Sequence, residues 1–423
     1  MSWAIGSLTL ALAALGTPIF ALIGGLSLFL FYQAGISGTA VIVELARLSS
    51  LPSLIAIPLF TFAGFLLAES KAPQRMMRLA ESLFGWMPAG VAIAALGACA
   101  LFTAFTGASG VTIIALGGLV YPLLRRQGYP EGYSLGLVTT TGSLGLLFPP
   151  SLPIILYALV GKVPVDQLFA ASAMPGLILL AALSVYSMLI ARRHGVKRVP
   201  FSRAGLSSAL RESAWELPLP LLVIGGIYGG FFTASEAAAF MCFYVLIVET
   251  LLYRDIDWRH IPEIMVKSMM LVGAILIVLG TALGLTNYLI DAEVPARLFE
   301  TLQAHLTGKA QFLALLNVFL LVVNMVEIFS AIIIVVPLIV PVAAQYQIDP
   351  IHLGVLFLLN LEIGYMTAPM GLNLFLSSRR FNRPLSQLYG ATLPFWLLLL
   401  AALALVTYIP ELSLWLPKIL RMR

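Results

Sequence analysis

Charge is what this chain has least of. Only 10% of its 423 residues are Asp, Glu, Lys or Arg, 60% are hydrophobic, and the mean hydropathy is +1.00. That balance excludes an ordinary soluble globule and implies many crossings of a lipid bilayer. Cysteine is nearly missing. Cys99 and Cys242 lie in apolar runs without metal-ligand spacing, which argues against a disulfide or a metal site and leaves them as small core residues. The four histidines, His194, His260, His305 and His352, fall at span ends or in loops, and neither HExxH nor GxSxG occurs, so an intramembrane hydrolase finds no support. No basic run is interleaved with aromatics, so no nucleic-acid partner is expected. The start, Met1-Ser2-Trp3-Ala4, lacks a basic n-region and leads into a run of spanning length, which predicts a retained first helix.

What is present is a series of apolar runs, at about 6–31, 51–68, 133–160, 174–191, 213–231, 235–253, 268–290, 351–378 and 391–411, read as nine crossings. Two further runs, 89–124 and 311–343, carry small polar clusters at their centres, Thr106-Gly107-Ala108-Ser109-Gly110 and Asn324-Met325-Val326-Glu327, and read as re-entrant hairpins. Segments 38–48, 72–85, 163–172, 256–266, 293–306 and 384–390 mix charged and apolar residues and suit helices in the interface.

Two of the spans are interrupted. Pro149 and Pro150 follow Gly145-Leu146-Leu147-Phe148, and Pro369 follows Gly364-Tyr365-Met366-Thr367-Ala368. Proline has no N–H to give the preceding turn, and a carbonyl left unpaired at membrane depth is tolerated only against protein or a water-filled cavity. Paired interruptions in two halves of a chain point to a secondary-transporter binding site. The halves align at an offset of about 220, Tyr129-Pro130 with Asp349-Pro350 and Pro149 with Pro369. The division is 1–210 for a first repeat with hairpin 89–124 and broken helix 133–160, 211–233 for a linking helix, and 234–423 for a second repeat with hairpin 311–343 and broken helix 351–378. The odd linking span inverts the second repeat. On this topology 17 of the 24 Lys and Arg residues, in segments 71–78, 125–126, 192–211, 254–267 and 379–383, share the side of the N-terminus, which the positive-inside rule places in the cytoplasm; the C-terminus is periplasmic.

At the first tip Thr106, Ser109 and Thr112 bring hydroxyls to a turn that Gly107 and Gly110 permit. With the carbonyls of the break they form an oxygen-only nest suited to a small hard cation, Na⁺ being favoured, and the tip suits a carboxylate. One Na⁺ is expected among Ser109, Gly145, Phe148 and Pro149, and a second among Asn324, Gly364, Thr367 and Met370. Substrate contacts are expected from Thr106, Gly107, Ser109, Asn324, Glu327, Asn360 and Thr367. Glu327 and Glu362 are carboxylates in apolar runs and therefore functional candidates, Glu327 acting through ions, waters or substrate hydroxyls and amines because it would repel an anion directly. For Glu362 a structural hydrogen bond to a neighbouring helix is an equal alternative.

With Phe105-Thr106-Gly107-Ala108-Ser109, Gly145-Leu146-Leu147-Phe148-Pro149-Pro150-Ser151, Tyr157, Ile348-Asp349-Pro350-Ile351-His352-Leu353-Gly354 and Gly364-Tyr365-Met366-Thr367-Ala368-Pro369-Met370-Gly371 in view, the chain closely resembles the large membrane (M) subunit of tripartite ATP-independent periplasmic (TRAP) transporters, of the dicarboxylate-type branch. The resemblance covers nearly the whole length. It implies an all-α integral membrane protein of the bacterial inner membrane, not an enzyme: an inverted-repeat elevator with two re-entrant hairpins and two broken helices. It also implies uptake of a small organic acid, Na⁺ as the coupling ion with no other cofactor, a small four-helix (Q-type) membrane subunit and a periplasmic (P-type) substrate-binding protein. The alternatives are an ion channel or a symporter of similar fold that needs no binding protein. The sequence departs from the family at Asn324 and Glu327, where a glycine and then an aspartate are usual, and at Ala368-Pro369, where a Pro-Pro pair is.

Overall fold

A computed structural model describes residues 9, 11–12, 15–39, 41–43, 46, 51–306, 308–323, 328–368 and 371–420. Four expected site or break positions, Asn324, Glu327, Pro369 and Met370, lie outside them. Among the described residues every regular element is helical, as it must be for a backbone that has no water to bond in a bilayer.

The order of the helices is α1 (Ile19–Gln33), α2 (Ala56–Glu69), α3 (Ala72–Phe84), α4 (Gly90–Thr106), α5 (Ser109–Ala115), α6 (Gly117–Arg126), α7 (Glu131–Leu144), α8 (Leu152–Gly161), α9 (Val165–Arg193) and α10 (Arg203–Glu212). They continue as α11 (Pro218–Tyr228), α12 (Ala234–Ile247), α13 (Ile261–Asp291), α14 (Val294–Gln303), α15 (Lys309–Val323), α16 (Ile328–Gln345), α17 (Pro350–Gly364), α18 (Leu372–Phe381), α19 (Leu385–Tyr408) and α20 (Glu411–Ile419). The repeat is visible in these bounds: α8 and α18 begin and end 220 positions apart, and so do the starts of α9 and α19.

Five helical stretches, Val165–Arg193, Ala234–Leu252, Trp258–Asp291, Ile328–Gln345 and Leu385–Tyr408, are each long and apolar enough to cross a membrane, and the pair Glu131–Leu147 and Leu152–Gly161, bent by 43°, makes a sixth. The other expected crossings fall on the shorter apolar helices α1, α2, α11 and α17. Ile328–Gln345 lies in the run read from sequence as a hairpin, so by length alone it also qualifies as a span.

Three segments assigned to the interface are corrected. Residues 163–172 and 384–390 are the opening turns of α9 and α19, each started by a proline at its N-cap, Pro164 and Pro384, and 256–266 runs through a short turn capped by Asp257 into α13. Their polar residues belong to first turns, where Asp166 and Glu263 face the positive end of the helix dipole. The amphipathic helices α3 and α14 fall where 72–85 and 293–306 put them, whereas α10 and α20 have no counterpart in the sequence reading.

The two broken helices pack antiparallel. Glu131, at the start of α7, pairs with Arg383 just past the end of α18 at 2.7 Å. Further along α7, the Thr139 and Ser377 hydroxyls share a hydrogen bond of 2.9 Å, and the Asn373 amide donates to the Thr139 carbonyl at 3.1 Å. Beyond the break, the Tyr157 hydroxyl of α8 donates to the carbonyl of Pro350 at 3.2 Å, and Gly354 lies so close to the Tyr157 ring that an added Cβ would sit 2.6 Å from it. This run of partners brings the two breaks to one level, side by side.

A buried ion cluster ties α3 to the start of α11 and the end of α12. Arg75, on α3, donates to Glu216 at 2.7 Å, Asp255 at 2.5 Å and Glu249 at 3.0 Å, and its guanidinium lies 3.8 Å from the centre of the Tyr253 ring. Lys71 adds a second cation 3.6 Å from Asp255. Burial works against the guanidinium charge, but the hydrogen bonds and charges of the three carboxylates outweigh it and raise the pKa of Arg75. Glu249 stands in a π-helical turn, Val248–Leu252, which extends α12.

Removing Arg75 leaves three carboxylates without their shared partner. Arg75→Met is expected to destabilise the protein by about 3–5 kcal/mol, read as a lowered midpoint of thermal unfolding in detergent. Arg78→Met, which breaks the exposed Arg78–Glu212 pair at 3.0 Å, should cost less than about 1 kcal/mol.

Candidate functional site

The first tip is built by close approach. Helix α4 ends at Thr106, and Gly107 turns the chain at φ +65°, a left-handed conformation with its N–H returned to the Thr103 carbonyl at 2.7 Å. A Cβ on Gly107 would run into the Leu152 side chain, at the start of the second half of the broken helix. A Cβ on Gly145 would strike the Ala100 carbonyl and come within 2.5 Å of Thr103 Cβ. Gly142 likewise leaves room for Ile113, and its Cβ would stand 3.3 Å from the Ser109 carbonyl. The tip is thereby pressed into the break, and glycine is what permits the fit.

The hydroxyls there divide into two groups. Thr103 and Thr112 share a hydrogen bond of 2.7 Å across the hairpin, and Thr103 also donates to the Gly142 carbonyl at 3.1 Å. Thr112 thus staples the hairpin and is not free at the tip. Thr106 Oγ1, Ser109 Oγ and Ser151 Oγ are buried with no partner among the described residues. Neighbouring hydroxyls do not share this state, since Thr139, Thr140 and Ser143 donate to carbonyls of their own helix. A buried hydroxyl without a partner costs about 1–3 kcal/mol, so three around one break mark a place prepared for a polar guest. Ser151 is a site residue missed by the spacing argument; its position directly after the Pro-Pro pair was the available signal.

The break rearranges its carbonyls but keeps capacity in them. Gly145–Leu147 tightens to a 3₁₀ turn, the Phe148 N–H donates to the Gly145 carbonyl at 3.0 Å, and the Ser151 N–H donates to the Phe148 carbonyl at 3.2 Å. Each carbonyl oxygen retains a second lone pair. Hydroxyl and carbonyl oxygens alone make a donor set for a small hard cation, and the hydroxyl protons can serve a carboxylate.

In the second half α17 ends at Gly364, the Thr367 N–H donates to the Gly364 carbonyl at 3.1 Å, and the Asn373 N–H donates to the Tyr365 carbonyl at 3.1 Å. Asn360 is fully buried; its amide donates to Asn317 and to the Leu356 carbonyl, both at 2.8 Å, while its own oxygen has no partner among the described residues. Glu362 is also fully buried, and neither of its oxygens has a hydrogen-bond partner among the described residues. The Thr367 hydroxyl donates to the Ile363 carbonyl at 2.8 Å and accepts from the Trp396 indole at 3.0 Å. Trp396 was not singled out from the sequence, where it is one aromatic among the apolar residues of a span.

Residues 7–412 match the family described as the tripartite ATP-independent periplasmic transporter, DctM component. The chain is 33% identical to the C4-dicarboxylate TRAP transporter large permease protein DctM of Rhodobacter capsulatus, covering 99% of each chain. It is 35% identical to the protein of that name from Pseudomonas aeruginosa, over 94% of this chain and 93% of the other. Among solved structures the YdaH transporter of Alcanivorax borkumensis superposes with a TM-score of 0.64, at 12% identity over 88% of each chain, a likeness of fold.

The fit of tip to break is testable by one methyl group. Gly145→Ala should lower stability by about 1–3 kcal/mol through overpacking against α4, whereas Gly97→Ala, on α4 where a Cβ meets nothing within 4 Å, should leave the thermal midpoint within about 1 °C or raise it.

Proposed function

The chain belongs to the DctM component family of TRAP transporters, and from that membership we propose that it carries a small organic acid, a C4-dicarboxylate or a related carboxylate, into the cell by coupling its entry to Na⁺. As a large permease it works with a small membrane subunit and a periplasmic binding protein; the small subunit is assigned four helices, and the binding protein delivers the substrate. The membrane is the bacterial inner membrane, with the N-terminus in the cytoplasm. The ion pairs of Arg75 and Arg78 bring segments 71–78, 212–216 and 249–255 together at one end, which supports placing these three connections on one side of the membrane.

The observation that carries the reading is the trio of buried hydroxyls around the first break, Thr106, Ser109 and Ser151, which have no partner among the described residues. Na⁺ held by Ser109, Gly145, Phe148 and Pro149, and another by Asn324, Gly364, Thr367 and Met370, supplies positive charge where a carboxylate must leave water. In a medium of low dielectric that charge decides whether the anion can enter at all. Thr106, Gly107 and Asn360 then orient the substrate, with Glu327 serving ions or waters. The antiparallel broken helices and the two hairpins travel as one body past the helices tied by Arg75, and the site is offered to each side in turn.

Two measurements test this. In proteoliposomes with the small subunit and binding protein, uptake should require Na⁺, and Ser109→Ala should raise the half-saturating Na⁺ concentration roughly tenfold; unchanged Na⁺ dependence would remove Ser109 from the site. For sidedness, cysteine placed at Arg193 should react with an impermeant thiol reagent only from the cytoplasm, and cysteine at Lys309 only from the periplasm, in a Cys99→Ser, Cys242→Ser background.

A further inference from the structure

The second break has an aromatic partner that the first lacks, and the two halves place their aromatic rings reciprocally. In the first half the ring comes from the break itself: Phe148 lies against Gly176 of α9, where a Cβ would stand 2.9 Å from the ring. The positions 220 residues on are Ala368 in the second break and Trp396 on α19. The small residue is now in the break and the large one on the flanking helix. Trp396 sits near the middle of a 24-residue helix, Leu385–Tyr408, away from the helix ends where membrane-interface tryptophans gather.

The exchange brings a donor into the site. Thr367 stands three residues past the end of α17, and its hydroxyl still bonds back to the last turn of that helix. At Thr367 both halves of the hydroxyl are engaged: its proton goes to the Ile363 carbonyl at 2.8 Å, and one lone pair accepts the Trp396 indole N–H at 3.0 Å. A hydroxyl oxygen has two lone pairs, so a single one remains, and it can only accept. That lone pair suits a cation or an N–H; it cannot donate to a carboxylate.

We infer that Trp396 is a positioning residue for the second cation site: its indole N–H locks the Thr367 hydroxyl so that the one remaining lone pair is presented to Na⁺. The inference rests on the Na⁺ reading given above and extends it to a residue outside both breaks. It also divides labour between the halves. The first site has unpartnered hydroxyls at Thr106, Ser109 and Ser151, whereas the Thr367 hydroxyl is already oriented and is reserved for the ion.

The test uses the full permease purified with its small membrane subunit, at constant ionic strength with choline replacing Na⁺. Two readouts are taken, the Na⁺ concentration giving half-maximal thermal stabilisation and the half-saturating Na⁺ for uptake. Trp396→Phe keeps the ring and removes the donor; it should raise both values roughly three- to tenfold, the loss expected for one neutral hydrogen bond, while the maximal rate falls by less. Trp396→Leu, a second donor-free replacement, carries the same expectation. In a Thr367→Ala background neither change should raise the Na⁺ requirement further, since the hydroxyl they position is gone. A wild-type Na⁺ midpoint in Trp396→Phe and Trp396→Leu, beside a raised midpoint in Thr367→Ala, overturns the role of Trp396 and leaves the Na⁺ reading standing. Equal additional losses in the Thr367→Ala background overturn it as well, by showing a packing effect. A wild-type protein that gains no stability from Na⁺ removes the inference together with the reading beneath it.

Discussion

A helix interrupted by proline inside a membrane must find partners for its exposed backbone within the protein, and that requirement organises this molecule. The two interruptions meet it jointly. Helix α7 lies against α18, and α8 against α17, so each half of one broken helix is supported by the opposite half of the other. The supports are short polar contacts, Thr139 with Ser377 and Asn373, and Tyr157 with Pro350, in regions otherwise filled by Leu, Ile and Phe. Buried polar contacts of this kind contribute modest energy but strong geometric specification. They bring both interruptions to the same level, and the polar groups left over are concentrated in one small volume.

The distribution of satisfied and unsatisfied groups follows from this. Away from the breaks many buried polar groups are matched, as where Arg75 answers three carboxylates and serines and threonines bond to their own helices, although Ser27, Tyr129, Tyr346, His352 and one oxygen of Glu216 keep a buried atom without a partner among the described residues. At the breaks, Thr106, Ser109, Ser151, Asn360 and Glu362 each keep at least one buried oxygen without a partner among the described residues. What distinguishes the first break is that three such hydroxyls, Thr106, Ser109 and Ser151, gather around one turn, where a single ligand can offset their cost. Glycine makes the concentration possible, since Gly107 and Gly145 admit approaches that any side chain would block.

Much of this was legible before any coordinate. The interrupted spans, the offset near 220 and the amphipathic helices at 72–85 and 293–306 all follow from composition, proline placement and periodicity, because those signals are local. Other features could not be read that way. Residues 163–172 look interfacial only while α9 is unseen; the long helix turns their polar residues into an ordinary first turn. The partners of Arg75 come from 141 to 180 positions away, and nothing in the sequence near 75, 216, 249 or 255 announces the others. Thr112 reads as a free hydroxyl until the hairpin closes and pairs it with Thr103.

By itself the sequence determined that the chain is helical, lies in a membrane, is built as two related halves and breaks one helix in each at a glycine- and proline-rich turn. These are consequences of what a residue type permits in lipid, and they hold wherever the neighbours are. Only the tertiary structure decided which oxygens remain without partners among the described residues, that Ser151 joins Thr106 and Ser109, and that the Trp396 indole donates to Thr367. A hydrogen bond depends on distance and direction between groups far apart in the chain, and those quantities exist only once the helices have packed.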